Sequence, residues 1–332
     1  MNSYAEPIRV GIAGATGYAG VELLRLLTRH PAARVAAAMG SPGSQPRRVP
    51  ALARVWDAPV DGLDIDTLVN HTDAVFLALP DEASAQVAPA LVKRGKRVFD
   101  LSGAFRLRNA DERHRWYPHT PEPPDSVVYG LAERHRGTFG GSSLIACAGC
   151  YPTAAILALQ PLVQADLLSA PIIIDAKSGI SGAGKTPSER THFSECHGSL
   201  SAYGVFAHRH AAEIEQEVGV PVTFVPHLVP IDRGILETIY GQLRPGVTDA
   251  DIASAYMAAY ANSPFVRLTG SDLPEIKHVA HTNFCDIGWR VSDATRQVVI
   301  VSCIDNLVKG AAGQAVQNFN IAFGFDERTG LN

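Results

Sequence analysis

The chain begins with a strand that breaks into glycines and continues as a helix, a pattern few folds accommodate. Ile8-Arg9-Val10-Gly11-Ile12-Ala13 is followed by Gly14-Ala15-Thr16-Gly17-Tyr18-Ala19-Gly20, and Val21, Leu24 and Leu27 then recur at helical spacing. A strand, a glycine turn and a helix in this order open a parallel α/β sheet. Glycines there let the N–H groups at the helix N-terminus approach a pyrophosphate. Gly14, Ala15, Thr16 and Gly17 are therefore the expected cofactor-binding turn, the alternative being a tight turn with a purely structural role. Further strands are read at 34–39, 74–79 and 97–100, with a helix at 83–94, and this alternation predicts a doubly wound, Rossmann-type parallel sheet.

The second strand ends in Gly40-Ser41, where an enzyme using NAD usually places an acid on the ribose hydroxyls. With no acid there, Ser41 and the nearby Arg47 and Arg48 suit a 2′-phosphate, so NADP is the expected cofactor.

At 332 residues, 46% hydrophobic, 19% charged and net charge −4, the chain has ample core for two domains. No apolar run approaches the ~20 residues of a membrane span, and the segment 1–7 is too short and polar for a signal peptide. A cytoplasmic location is expected. The absence of a basic run argues against nucleic acid and leaves a small anionic molecule as the expected partner.

Five cysteines, at 147, 150, 196, 285 and 303, form no paired framework and fit a reducing compartment. Cys147-Ala148-Gly149-Cys150 matches C-x-x-C, but no second pair or histidine lies at ligand spacing, so no metal is expected. Cys147 reads more simply as the last residue of the strand Leu144-Ile145-Ala146.

Cys150 differs from the other four. Gly149-Cys150-Tyr151-Pro152-Thr153 runs into Ala154-Ala155-Ile156-Leu157-Ala158-Leu159, which places the thiol at a helix mouth. Proline suits a first helical turn, and the unpaired N–H groups there carry the positive end of the helix dipole, which favours a thiolate. Longer β runs follow at 171–176, 221–225, 235–243 and 297–304, with a helix at 249–260. They predict an α+β second domain over 150–305. A last helix-like segment, 306–323, contains Gly310-Ala311-Ala312-Gly313 and is expected to fold back, so that 306–332 completes the domain formed by 1–149.

These segments together resemble the N-acetyl-γ-glutamyl-phosphate reductase family, within the wider group that includes aspartate-semialdehyde dehydrogenase. The likeness rests on the 14–20 turn, Asp100-Leu101-Ser102-Gly103-Ala104-Phe105-Arg106, the 149–153 motif, the 177–185 run Lys-Ser-Gly-Ile-Ser-Gly-Ala-Gly-Lys, His208-Arg209-His210, Arg233-Gly234-Ile235 and 306–314. Two backbone-shaping departures are Ala148 and Ala212, where the family commonly has proline.

The resemblance implies NADPH-dependent reduction of an acyl phosphate in arginine biosynthesis through a thioester on Cys150. It also implies a catalytic and dimerisation role for the second domain and a homo-oligomer, dimer or tetramer. A histidine of the 208–210 segment becomes the acid/base, and His210 is favoured because it stands three residues before Glu213, its expected orienting partner. Arg106 matches the family's phosphate-binding position, while Lys185 and Arg209 are candidates for the same anion or for an α-carboxylate. Ser181 and Gly182, in a glycine-rich loop suited to closing over nicotinamide, join Asn306 in the cofactor set. Rival readings are aspartate-semialdehyde dehydrogenase, an aminoadipyl-phosphate reductase, and a non-catalytic NADP-sensing regulator, which would be expected to lack the nucleophile or the base.

Overall fold

A computed structural model of the chain describes residues 6–331; most of the polar segment 1–7 considered above lies outside them. The elements in chain order are β1 (Ile8–Ala13), α1 (Tyr18–Leu27), β2 (Ala33–Met39), α2 (Ile65–His71), β3 (Ala74–Leu77), α3 (Asp81–Lys93), β4 (Arg97–Asp100), α4 (Ala110–Trp116), β5 (Val127–Gly130), α5 (Ala132–His135), β6 (Leu144–Cys147) and α6 (Cys150–Gln164). There follow β7 (Leu168–Gly179), α7 (Phe193–Cys196), β8 (Ser201–Ala202), α8 (Arg209–Val218), β9 (Thr223–Val229), β10 (Ile235–Leu243), α9 (Asp249–Tyr260), β11 (Val266–Gly270), α10 (Ile276–Val279), β12 (Cys285–Ser292), β13 (Gln297–Ile304) and α11 (Gly313–Ala322). They form two compact units, residues 1–148 with 311–332, and residues 149–310.

In the first unit six parallel strands lie in the order β2-β1-β3-β4-β6-β5. Strand order reverses beside β1, so the glycine turn leaves the sheet at the switch point where such folds bind ligands. Helix α11 closes this unit: Phe76 and Phe99 stack at 5.0 Å, and Phe319 meets them at 5.7 and 5.8 Å.

The second unit is a mixed seven-stranded sheet, β11-β12-β13-β10-β7-β9-β8. Helix α6 is buried along most of its length, which explains why its sequence is apolar on every side. Pro161 has no N–H to give to the Leu157 carbonyl one turn earlier, and the Tyr260 hydroxyl donates to that carbonyl instead, at 2.6 Å. The Tyr256 hydroxyl donates to the next carbonyl along, that of Ala158, at 2.6 Å.

Three expectations are corrected. The strand read at 221–225 is β9, which starts and ends later and carries Pro226 and His227. The segment read as a helix from 306 begins instead with a π-turn, Val308–Ala312, before α11. Residues 306–310 fall in the second unit, because Asp305 and Asn306 bond to Arg233, His281 and Gly234 there.

Candidate active site

The glycine turn after β1 is built for an uncovered helix mouth. Gly14 has φ +86, and a side chain there would strike the Ala78 carbonyl, while one at Gly20 would strike the Gly14 carbonyl. Gly17, the N-cap of α1, is different, since a Cβ there would meet only the Gly14 carbonyl at 3.5 Å. Packing does not demand glycine at 17. Its bareness leaves the first N–H groups of α1 open to an anion, so this turn, with Ala15 and Thr16 between its glycines, fits a dinucleotide's pyrophosphate.

Ser41 and Arg47 both have exposed side chains just beyond β2, and Arg47 is held by paired backbone bonds with Val60 at 3.1 and 2.8 Å. The same crossing segment brings Asp61 alongside, its backbone bonded to Ala38 and Gly40 at 3.0 and 2.8 Å. Sequence reading missed this acid because it comes from a separate segment and carries no periodic signal.

Arg106 is buried. Its Nε donates to the Cys147 carbonyl at 2.8 Å and one Nη to the Leu101 carbonyl at 2.7 Å, which pins the guanidinium at the carboxyl ends of β4 and β6. Beside it Asp100 is fully enclosed, bonded to Ser84 and to Ser102, and burial raises its pKa against those bonds. Cys147 is also fully enclosed, and burial pushes its thiol up to about 12. That thiol is inert at neutral pH.

Cys150 is the first residue of the fifteen-residue helix α6, with Gly149 as N-cap. Glu213 on α8, 1% exposed, places Oε1 2.8 Å from the Gly149 N–H, so a carboxylate from the helix that carries His210 fastens the turn leading into α6. Glu213 and His210 both lie on α8, and a partner of the Glu213 carboxyl is the Gly149 N–H.

The two histidines separate clearly. His208 is the N-cap of α8; its Nδ1 accepts from the His210 N–H at 3.1 Å, and burial, then the Arg209 charge, lowers its pKa to about 4. His208 is thus neutral near pH 7 and engaged as a cap. His210 lies inside the helix, its ring 4.8 Å from that of His208 and 5.9 Å from Tyr151.

Two tyrosines that the sequence reading did not assign complete the cluster. The Tyr151 hydroxyl donates to the His227 carbonyl at 3.1 Å and lies 3.3 Å from the Tyr203 hydroxyl, and burial raises the pKa of both phenols. Tyr151 sat inside the quoted motif; Tyr203, five residues before His208, carried no spacing signal.

Ser181, Gly182 and Asn306 do come together in the second unit. Asn306 donates to the Ser181 hydroxyl at 3.0 Å and accepts from the Gly234 N–H at 2.7 Å, and a Cβ at Gly182 would stand 2.7 Å from the Ser178 hydroxyl. Lys185 and Arg209 are exposed, one in the loop after this turn and one at the start of α8.

A family model for the NAD binding domain of semialdehyde dehydrogenases matches residues 9–140, and one for their dimerisation domain matches residues 150–306. The N-acetyl-gamma-glutamyl-phosphate reductase of Brevibacillus brevis is 45% identical over 98% of this chain and 98% of its own, and that of Desulforudis audaxviator 46% identical with the same coverage. The chain belongs to the N-acetyl-gamma-glutamyl-phosphate reductase family. Its fold extends further: an aspartate semialdehyde dehydrogenase II from Vibrio cholerae matches with a TM-score of 0.74 at 17% identity, covering 96% of this chain and 99% of that one. Against this reductase family, the departures at Ala148 and Ala212 cost no local structure. Ala148 still donates to the Gly130 carbonyl at 3.2 Å, a bond a proline would forfeit, and Ala212 lies within the first turn of α8.

Proposed function

We propose that this chain reduces N-acetyl-L-glutamyl 5-phosphate to N-acetyl-L-glutamate 5-semialdehyde, in arginine biosynthesis, with NADPH as reductant. The observation that carries the reading is Cys150 at the mouth of α6, its N-cap held by Glu213 from the helix that bears His210. The Cys150 thiolate attacks the acyl carbon; a C–S bond forms, the carbon–phosphate oxygen bond breaks, and phosphate leaves. Bound NADPH supplies the hydride that takes the resulting thioester to the hemithioacetal level. His210 gives a proton to the carbonyl oxygen as it becomes tetrahedral and takes it back as the C–S bond breaks and the aldehyde departs. His208, neutral and capping α8, holds the helix that presents His210.

Arg106, with Arg209 and Lys185, serves the anionic ends of the substrate. Gly14, Ala15, Thr16 and Gly17 hold the cofactor's pyrophosphate; Ser41 and Arg47 its 2′-phosphate; Ser181, Gly182 and Asn306 its nicotinamide end. The match of residues 150–306 to a dimerisation domain supports a homo-oligomer, a dimer or a tetramer, assembled through that domain. Five cysteines without a disulfide support a cytoplasmic location, and no helix among the described residues is long and apolar enough to cross a membrane. The test is phosphate-dependent reduction of NADP with N-acetylglutamate, aspartate and aminoadipate semialdehydes. Faster turnover of either of the last two would transfer the substrate assignment, and no turnover with any would remove the enzymatic reading.

A further inference from the structure

Gly310 lies in the π-turn after β13, in the same unit as Cys150, and nothing in the chemistry above uses it. Its φ is not in the left-handed region, so its own backbone conformation does not demand glycine. What demands it is Cys150. A Cβ built on residue 310 would stand 2.8 Å from the Cys150 Cβ, 3.1 Å from the Cys150 Cα and 3.2 Å from the Ile304 side chain.

Neither partner has room to retreat. On one side the turn into α6 is tied by Glu213 at 2.8 Å and by Thr153, whose N–H and hydroxyl both donate to the Gly149 carbonyl, at 2.9 and 2.8 Å. On the other, the Gly310 N–H donates to the Asp305 carbonyl at 2.9 Å. The Asp305 carboxylate accepts from Leu307 and Val308 at 2.8 and 3.0 Å through one oxygen, and from the His281 N–H at 2.6 Å and Arg233 at 3.2 Å through the other. Lys309, next to Gly310, is fully enclosed with its ammonium 5.8 Å from the Phe265 ring centroid. A π-turn of this kind recurs at functional sites.

We propose that the Asp305–Gly310 turn is the seat of the nucleophile, and that Gly310 is a positioning residue: its missing side chain lets backbone lie against Cys150 and fixes the direction of the thiol at the mouth of α6. The proposal rests on the reading of Cys150 as nucleophile, but it is tested without substrate, so the two can fail separately. In Gly310→Ala the second-order rate of Cys150 alkylation by iodoacetamide at pH 7 should fall by about tenfold or more, or its pH profile should shift, as expected when overpacking by one methyl is relieved at the thiol. The kcat should fall with it, while the KM for NADP stays within about twofold.

Gly288→Ala is the control for a merely structural cost. A Cβ there is as crowded, 2.6 Å from the Thr269 hydroxyl, without touching Cys150, so melting should drop while the alkylation profile stays that of the parent. Contact with Cys150 is tested by coupling: the melting-temperature loss from Gly310→Ala should be at least halved in a Cys150→Gly background, where the opposing Cβ is gone. Should Gly310→Ala fail to fold, recovery of a folded protein in Cys150→Gly/Gly310→Ala supports the proposal, and failure of both overturns it. An unchanged alkylation profile, or an equal melting loss in both backgrounds, also overturns it. Normal turnover by Cys150→Ser would sink the nucleophile assignment and leave the steric coupling standing.

Discussion

His208→Asn separates two adjacent histidines by their different physics. His208 caps α8 through Nδ1, and its pKa is lowered from 6.5 to about 4, by burial first and by Arg209 second. Because the folded value lies below the unfolded one, the unfolded chain takes up a proton between these pH values that the folded chain refuses. The stability involved is fully present above about pH 6.5 and is lost as pH falls through about 4. At ~1.4 kcal/mol per pH unit this depression sets a ceiling of about 3 kcal/mol, and the ring's partial exposure reduces it to the order of 2 kcal/mol. Asparagine caps a helix as well as histidine and does not titrate. On acidification from pH 7 to pH 4.5, His208→Asn should therefore lose less melting temperature than the parent, by about 4 °C at ~2–4 °C per kcal/mol. At pH 7 its hydride-transfer rate in stopped flow should stay within about threefold of the parent. His210→Asn should lose ~10²–10⁴-fold in that rate, as removal of a general acid does, while Cys150 alkylation persists. Equal acid sensitivity of parent and His208→Asn would refute the burial argument. A larger loss of hydride transfer in His208→Asn than in His210→Asn would move the acid to His208.

Cys150→Ser should keep fold and NADP binding and lose nearly all turnover, whereas Cys147→Ser, at a buried thiol held up at about 12, should keep its rate; the reverse result would overturn the assignment. NADPH should be preferred to NADH by at least tenfold in kcat/KM, and Arg47→Ala should narrow the gap through the cofactor KM; equal use by the parent, or a loss of NADH use in Asp61→Asn alone, would count against a 2′-phosphate site. Glu237 is fully enclosed on β10, neither carboxyl oxygen has a hydrogen-bond partner among the described residues, and burial raises its pKa well above the ordinary range. The folded state holds this proton more tightly, so Glu237 costs stability increasingly as pH rises above about 4.5, and Glu237→Leu should raise the melting temperature more at pH 8 than at pH 5, by roughly 1–3 kcal/mol in stability; a lower melting temperature at pH 8 would refute it.

How far the fold and site could be read in advance follows from where each signal lies. The glycine turn, the strand β10 and the helix mouth at Cys150 are local: glycine conformation, period-2 alternation and proline in a first turn are written in neighbouring residues, and each is found as read. The start of α11 is not legible in the sequence because small apolar residues read alike in a regular helix and in a π-turn. What distinguishes them is the Asp305 carboxylate gathering the N–H groups of Leu307, Val308 and His281, a tertiary fact. Asp61 beside β2 and Tyr203 beside Tyr151 were out of reach for the same reason, being brought in by distant segments. What sets His208 apart from His210 is the bond from the His210 N–H to the His208 ring, which no periodicity encodes.

One thiol of the five stands apart in position, and the contrast shows why the proposed chemistry is assigned to it. Cys147, three residues earlier, ends a central strand inside the first unit, and burial leaves it protonated. Cys303 and Cys285 lie within the second sheet, where Cys303 is raised by burial first and then by Cys285, Asp286 and other acids. Cys196 ends a helix of only four residues, too short to develop an appreciable dipole. Cys150 alone of the five begins a long helix, half-buried rather than enclosed, where the positive end of the helix dipole favours the anion and the thiol is within reach of a small electrophile. The Glu213 carboxyl accepts from the Gly149 N–H one residue earlier, which secures the turn from which α6 starts. In the proposed mechanism the thiolate must also leave when the hemithioacetal collapses, so a thiol held in place serves that reaction better than one of the lowest possible pKa.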